Sequence, residues 1–290
     1  MDTELLKTFL EVEKTRHFGQ AGDNLYLTQA AVSARIRQLE NLLGNALFNR
    51  YRNNISLTPA GERLKPHAES LLTSLNRALQ ESSLGSDQSI QLAVGATPNL
   101  WDSAMQNYLH TIYQQLPGLS FRAEALGREQ LSQQLLSRTL DIGFLFDPPK
   151  TEELVVREFL EIELVLVSSY SDVNYAHTFD NNYVKVDWGT AFSILHANLT
   201  VNPVTPILHT TTGRIALDFI LANGGSAYLP ASIADPYVES GALFNIAGSP
   251  VVKRTVFSAF LESSEKQEII QQALTILKGT EPEPASTLQP

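Results

Sequence analysis

Apolar residues return every three or four positions through the first eighty or so residues, and beyond about residue 90 strand-like runs begin to alternate with such segments. Residues 4–15 predict a helix with Leu5, Leu6, Phe9, Leu10 and Val12 inward, and Phe18, Ala21, Leu25 and Leu27 close a small core beside it. Thr28 is a good N-cap for a second, longer helix over 28–43, because its hydroxyl can accept from an amide of the first turn. Val32, Ile36, Leu39 and Leu43 form the buried stripe of that helix, and Gly44 ends it. Gln29, Ser33, Arg35 and Arg37 then face outward. The run NRYRNN lies between Leu47-Phe48 and Ile55-Leu57, which predicts a tight basic hairpin carrying Arg50, Arg52 and Asn53. Thr58-Pro59 is a strong helix start. From it Leu64, Ala68, Leu71, Leu75 and Ala78 fall at four-three-four-three spacing, an a/d seam suited to pairing with a second copy or to packing on its own domain.

The polar stretch SSLGSDQS (82–89) is the best boundary between domains. After it, strands are predicted at 90–96, 119–126, 141–146, 162–169, 183–187, 206–210, 226–230 and 256–262. Helices are predicted from Thr97-Pro98 through Tyr113 (Leu100, Met105, Leu109 and Ile112 inward) and at 128–140, 191–199, 211–224 and 265–278. Continuous apolar runs such as IELVLVSS read as strands of a parallel sheet. The order implies two βαβ lobes joined by extended crossovers, with a cleft between them. The expected division is therefore 1–58, a winged helix-turn-helix; 59–84, a linker and dimerisation helix; 89–278, a two-lobed, periplasmic-binding-protein-like domain with a cleft; and 279–290, a disordered proline-rich tail.

Helix, turn, helix and basic hairpin in this order have the chemistry to read double-stranded DNA. Glutamine pairs bidentately with adenine and arginine with guanine, while serine suits either a base or a phosphate. Thr28, Gln29, Ser33, Arg35 and Arg37 are the candidate readers, and Arg50, Arg52 and Asn53 the candidate contacts of the wing. Arg16 and His17 read as loop residues within reach of phosphate. The net charge of −10 does not oppose this reading, because it is unevenly spread. Residues 1–87 balance ten basic against ten acidic side chains, and 28–65 carry a net +4; the surplus of acid lies wholly beyond residue 87. Charges farther apart than about 8–10 Å are screened at physiological salt, so the local field governs phosphate binding.

The segment TQAAVSARIRQLENLLGNALFNRYRNNISLTPAGERL resembles the N-terminal signature of the LysR-type transcriptional regulators. Within that family the opening MDTELLKTFLEVEKTRHFGQAGDNLYLTQ most resembles repressors of the flagellar master operon. The likeness is dense over residues 1–65 and looser to about 278. It implies repression, a homodimer or homotetramer paired antiparallel through the helix after Pro59, and a small-molecule effector in the cleft. Thr97 matches the family's ligand-facing position after the first strand; Asn99 follows it, and Thr210, Thr211 and Thr212 lie where the second lobe contributes. Gly22 stands where alanine is usual, at a helical cost of roughly 1 kcal/mol, and Asp23 adds an unusual negative charge near the DNA side.

Other chemistry finds little support. There is no cysteine, and the six histidines show no metal-ligand spacing, so neither metal nor cofactor is expected. Gly-x-Ser-x-Gly, Gly-x-Gly-x-x-Gly and P-loop motifs are absent, and Glu158, Glu161 and Glu163 read as an exposed strand face rather than a catalytic pair. Trp101 and Trp188 read as core or cleft wall. The acidic opening MDTELLK predicts no signal peptide, and no apolar run approaches membrane-spanning length, so a cytoplasmic, nucleoid-associated protein is expected. Two rivals remain: a biotin-ligase-like enzyme with a DNA reader, which needs a glycine-rich nucleotide loop, and a stand-alone solute-binding module.

Overall fold

The computed structural model describes residues 2–51, 54–82, 90–180, 182–199 and 204–279. The chain divides into two compact units, Met1–Leu84 and Gly85–Pro290.

The first unit builds a helical core closed by a hairpin. Helix α1 (Thr3–Thr15) is capped by the Asp2 carboxylate, which accepts from the Glu4 amide at 3.0 Å. Helix α2 (Phe18–Leu25) is capped by His17, whose Nδ1 accepts from the Gln20 amide at 3.1 Å, so this imidazole is a structural cap rather than a loose loop residue. Helix α3 (Gln29–Leu43) begins at Thr28, whose hydroxyl accepts from Ala31 N at 3.2 Å, and ends at Gly44 with φ +69. Val32, Ile36 and Leu39 are fully buried beside Phe9, Val12 and Ala21. Leu43 breaks the expected stripe: it is 38% exposed, because the helix has outrun the small core by its last turn. Strands β1 (Phe48–Tyr51) and β2 (Asn54–Leu57) pair antiparallel as the wing.

Thr58 then starts α4 (Pro59–Ser82), donating to the Ala46 carbonyl at 2.7 Å and accepting from Gly61 N at 3.1 Å. The expected seam along α4 is divided. Ala68 is buried in the unit's own core, and Leu64 and Leu72 pack against it. Leu71 is 49% exposed, Ala78 is exposed and Leu75 is half-buried. A heptad spacing does not distinguish a helix's own core from a partner's, and here the first two seam residues serve the former.

The second unit is organised on one sheet of order β4-β3-β5-β11-β6-β9-β7-β8. In the first lobe β3 (Ile90–Ala96), β4 (Leu119–Ala125) and β5 (Ile142–Leu145) run parallel. In the second, β7 (Tyr183–Val186), β8 (Leu208–Thr210) and β9 (Ser226–Pro230) do the same. The crossovers are two long strands, β6 (Leu154–Ser168) and β11 (Val252–Leu261), paired antiparallel along almost their whole length. The run IELVLVSS is thus part of an antiparallel strand, correcting the parallel reading: it is apolar because it is buried between β9 and β11. Glu161 and Glu163 lie on an exposed strand face and both reach Lys253, at 2.8 and 3.1 Å. Strand β10 (Phe244–Asn245) adds to the edge of β6.

After β3, α5 (Pro98–Leu100), a π-helical turn (Trp101–Met105) and α6 (Gln106–Gln115) run on as one helix. The π turn advances the register by a residue, so Tyr108 rather than Leu109 is buried between Met105 and Ile112. Helices α7 (Arg128–Leu136), α8 (Thr190–Leu199), α9 (Gly213–Asn223), α10 (Ala231–Glu239) and α11 (Gln267–Lys278) complete the unit. Of these α10 was not legible in the sequence pattern. Trp188 is core, donating to the Tyr228 carbonyl at 2.9 Å. Residues 83–89 of the expected hinge and the tail from residue 280 lie outside the described residues.

Candidate functional site

Two surfaces bear candidate chemistry, one in each unit. On α3 the residues Gln29, Ser33 and Arg37 are spaced by four and share one ridge, with Gln29 and Arg37 exposed and Ser33 half-buried. Small exposed residues, Ala30 and Ala34, flank them, so another molecule can approach the helix backbone. Arg35 does not join this ridge. Its Nη1 turns onto α1, 3.4 Å from Glu4 Oε2 and 3.3 Å from the Thr8 hydroxyl, and it fastens α3 to α1. Lys65 is likewise engaged, 2.9 Å from Glu13. Arg50 lies in β1, while Arg52 and Asn53 fall outside the described residues.

The turn into α3 supplies a residue that the sequence pattern missed. Tyr26 adopts φ +56 at the end of α2 and is 97% exposed, two residues before the capping Thr28. A left-handed tyrosine spends conformational energy to stand clear of the fold. Gly22 explains how the turn is so tight: a Cβ there would lie 2.6 Å from the Leu27 carbonyl oxygen, whose own amide donates back to Gly22 O at 2.8 Å. The glycine thus lets the α2–α3 turn sit closer than a side chain would without a local shift.

In the second unit a cavity of about 220 Å³ opens where the carboxyl ends of β3, β5 and β7 meet the starts of α7 and α8. Thr97, Asn99 and Thr211 line it, as expected. Thr210 and Thr212 do not: they are spent on the turn into α9, Thr210 Oγ1 accepting from Thr212 N and Thr212 Oγ1 from Ile215 N. Thr97 stands at the N-cap of α5 but makes no side-chain cap hydrogen bond. Its hydroxyl donates to Asn99 Oδ1 at 2.7 Å, and Asn99 Nδ2 donates to the Asp187 carbonyl, joining one lobe to the other.

The cavity wall carries further residues not anticipated from the sequence. Asp147 follows β5 and Asp187 follows β7. Asp147 Oδ2 accepts from the Thr190 amide at the start of α8 at 2.6 Å, and Oδ1 lies 3.3 Å from Arg254 Nη2. Arg254 is only 9% exposed; it also donates to the Trp188 carbonyl at 3.0 Å and lies 5.3 Å from the Phe146 ring centre. Gly189 makes this arrangement possible: its φ is +90, and a Cβ would lie 2.6 Å from Asp147 Oδ2. The signal was available, since FDPP and DWGT each place an aspartate directly after a parallel strand, where ligands of open α/β sheets bind. Among the described residues no group of three or more His, Asp or Glu could hold a metal ion, and no helix is long and apolar enough to cross a membrane.

A helix-turn-helix with a hairpin wing, followed by a cleft between two lobes of one sheet, defines a DNA-binding regulator with a sensing body. The chain belongs to the LysR family: residues 3–62 match its bacterial regulatory helix-turn-helix domain and residues 86–280 the LysR substrate binding domain. It is similar to the HTH-type transcriptional regulator HdfR of Yersinia enterocolitica, 40% identical over 94% of this chain and 95% of that protein. The HdfR of Yersinia pestis is 41% identical over the same shares. Among solved structures, full-length CbnR complexed with its target DNA has a similar fold, with a TM-score of 0.69 at 17% identity over 96% of this chain and 99% of that one. These relatives are transcriptional regulators, which leaves the ligase and solute-module readings without support.

Proposed function

We propose that this DNA-binding regulator reads its operator through the α3 ridge, with Gln29, Ser33 and Arg37 at base edges in the major groove. The Thr28 hydroxyl and Tyr26 contact the flanking backbone, and Arg50, Arg52 and Asn53 of the wing contact phosphate or the minor groove. Arg35 supports α3 from behind. Dimers pair through the outer half of the α4 seam, Leu71, Leu75 and Ala78, and associate further to tetramers. The protein acts as a repressor on the bacterial nucleoid, with the flagellar master operon promoter as first target, and a small molecule in the cleft alters its grip on DNA.

The single observation that supports this reading is the division of the two α3 arginines, one tied to α1 and one standing beside Gln29 and Ser33. Gel shift and footprinting on promoter fragments, the flagellar master operon included, test it. Arg37→Ala is expected to cost about 1–3 kcal/mol in binding and to relax specificity at one base position. Unchanged operator affinity and footprint in Arg37→Ala would overturn the assignment.

A further inference from the structure

Taking the cleft as the effector seat, its polar groups are committed in a way that selects ligand chemistry. The Thr97 hydroxyl proton is already given to Asn99 Oδ1. The Asn99 amide cannot turn over to release it, because its Nδ2 donates to the Asp187 carbonyl. Thr97 therefore presents lone pairs to the cavity, and calls for a donor. Nearby, Asp187 is exposed and uses Oδ1 to accept from Gly189 N at 3.0 Å, which leaves its other oxygen available.

The start of α8, which would otherwise suit a ligand's carboxylate, is filled by the chain's own Asp147, fixed by Thr190 N and Arg254. An incoming anion is turned away from that wall. Among the described residues that line the cavity the cation is Arg128, exposed at the first position of α7. Leu145 and Phe146 supply an apolar floor. The lining thus holds groups that accept a positive donor and a cation that accepts a negative group, in a volume that admits only a small molecule.

We propose that the cleft takes a small zwitterion of the amino-acid type, its ammonium group held by the Asp187 carboxylate and the Thr97 hydroxyl, and its carboxylate by Arg128. This rests on the effector-cleft reading given above. A dicarboxylate would meet Asp187 with like charge, and a diamine would meet Arg128.

The test is calorimetry and thermal shift on the full chain with four matched sets of probes: the twenty L-amino acids, their 2-hydroxy acids, their decarboxylated amines, and four-carbon dicarboxylates. At least one amino acid is expected to bind and raise the melting temperature. Its hydroxy-acid and amine counterparts should bind at least about tenfold more weakly, since a hydrogen bond to a charged group contributes about 1.5–3 kcal/mol. Asp187→Asn should weaken amino-acid binding by about tenfold or more, and Arg128→Gln should do so through the ligand's carboxylate. Each unliganded variant is melted alongside as a check on folding. Equal binding by a hydroxy acid or dicarboxylate, or unchanged amino-acid binding in both variants, would overturn the zwitterion while leaving the cleft as effector seat. Should no probe of any set bind, the proposal fails together with the cleft reading beneath it.

Discussion

The ridge of α3 and the cleft of the second unit hold their polar side chains under opposite rules. No hydrogen bond among the described residues ties Gln29, Ser33 or Arg37, whereas Thr97, Asn99, Asp147 and Asp187 are each bonded within the chain. On the proposed reading, side chains that meet a long and variable duplex stay adjustable and lose rotamer freedom only on binding. A small ligand offers few atoms, so the groups that meet it are set in place beforehand, and their orientation carries the selectivity. The same contrast separates two arginines: Arg37 is exposed on α3, while Arg254 is buried and consumed in positioning Asp147.

The sharpest way to press this comparison is to disturb each region where it is not tied. Replacing Leu71 and Leu75 with glutamate should split the proposed dimer while leaving the first unit folded, since neither side chain is fully buried in its core. Operator affinity should fall about a hundredfold or more, as the second half-site loses its effective concentration, and sedimentation would show monomers. Ala68→Glu, by contrast, should unfold the first unit, because it places a charge in a fully buried position.

Arg35→Ala should behave unlike Arg37→Ala. Losing its half-buried pair with Glu4 should cost about 0.5–1 kcal/mol of stability, with a footprint that keeps its sequence preference. A loss of base specificity equal to that of Arg37→Ala would return Arg35 to the reading face.

A pH dependence is expected in the second lobe. His196 is buried on α8, its Nε2 2.7 Å from the Tyr183 hydroxyl, and burial lowers its pKa to about 4 from 6.5. The folded state thus binds this proton less readily than the unfolded chain. Its contribution is complete above pH 6.5 and is lost as the pH falls toward 4. Melting curves between pH 7 and 4 should show the loss, and His196→Gln should flatten the part that arises here.

Much of the fold was legible because its signals are local. Thr28, Gly44 and Thr58-Pro59 mark helix ends through atoms a few residues away, and Val32, Ile36 and Leu39 declare a buried face by spacing alone. What escaped depends on distant partners. Arg35 looks outward by sequence and is turned by Glu4, which lies 31 residues earlier. The first half of β6 carries charges among its apolar residues and reads as a strand only once β11 covers it. Leu64 and Ala68 share a period with Leu71 and Leu75, and only the position of α1 separates the two pairs. In the cleft, Thr97, Asn99 and Thr211 were named through the family resemblance, from their places after strands. Asp147 and Asp187 were passed over although they occupy the same kind of position in other strands.

The amide of Asn99 acts as a rivet through the base of the cleft, fastening the first lobe to the backbone of the second at Asp187. A bond at that place opposes opening of the lobes, and a short stroke is the expectation that follows. Occupancy would be announced through stiffness more than through a change of outline, so the second unit should scatter X-rays at low angle much alike whether filled or empty, while its amide exchange slows. Cutting the rivet with Asn99→Ala should restore a wide swing, visible as a larger radius in the empty state.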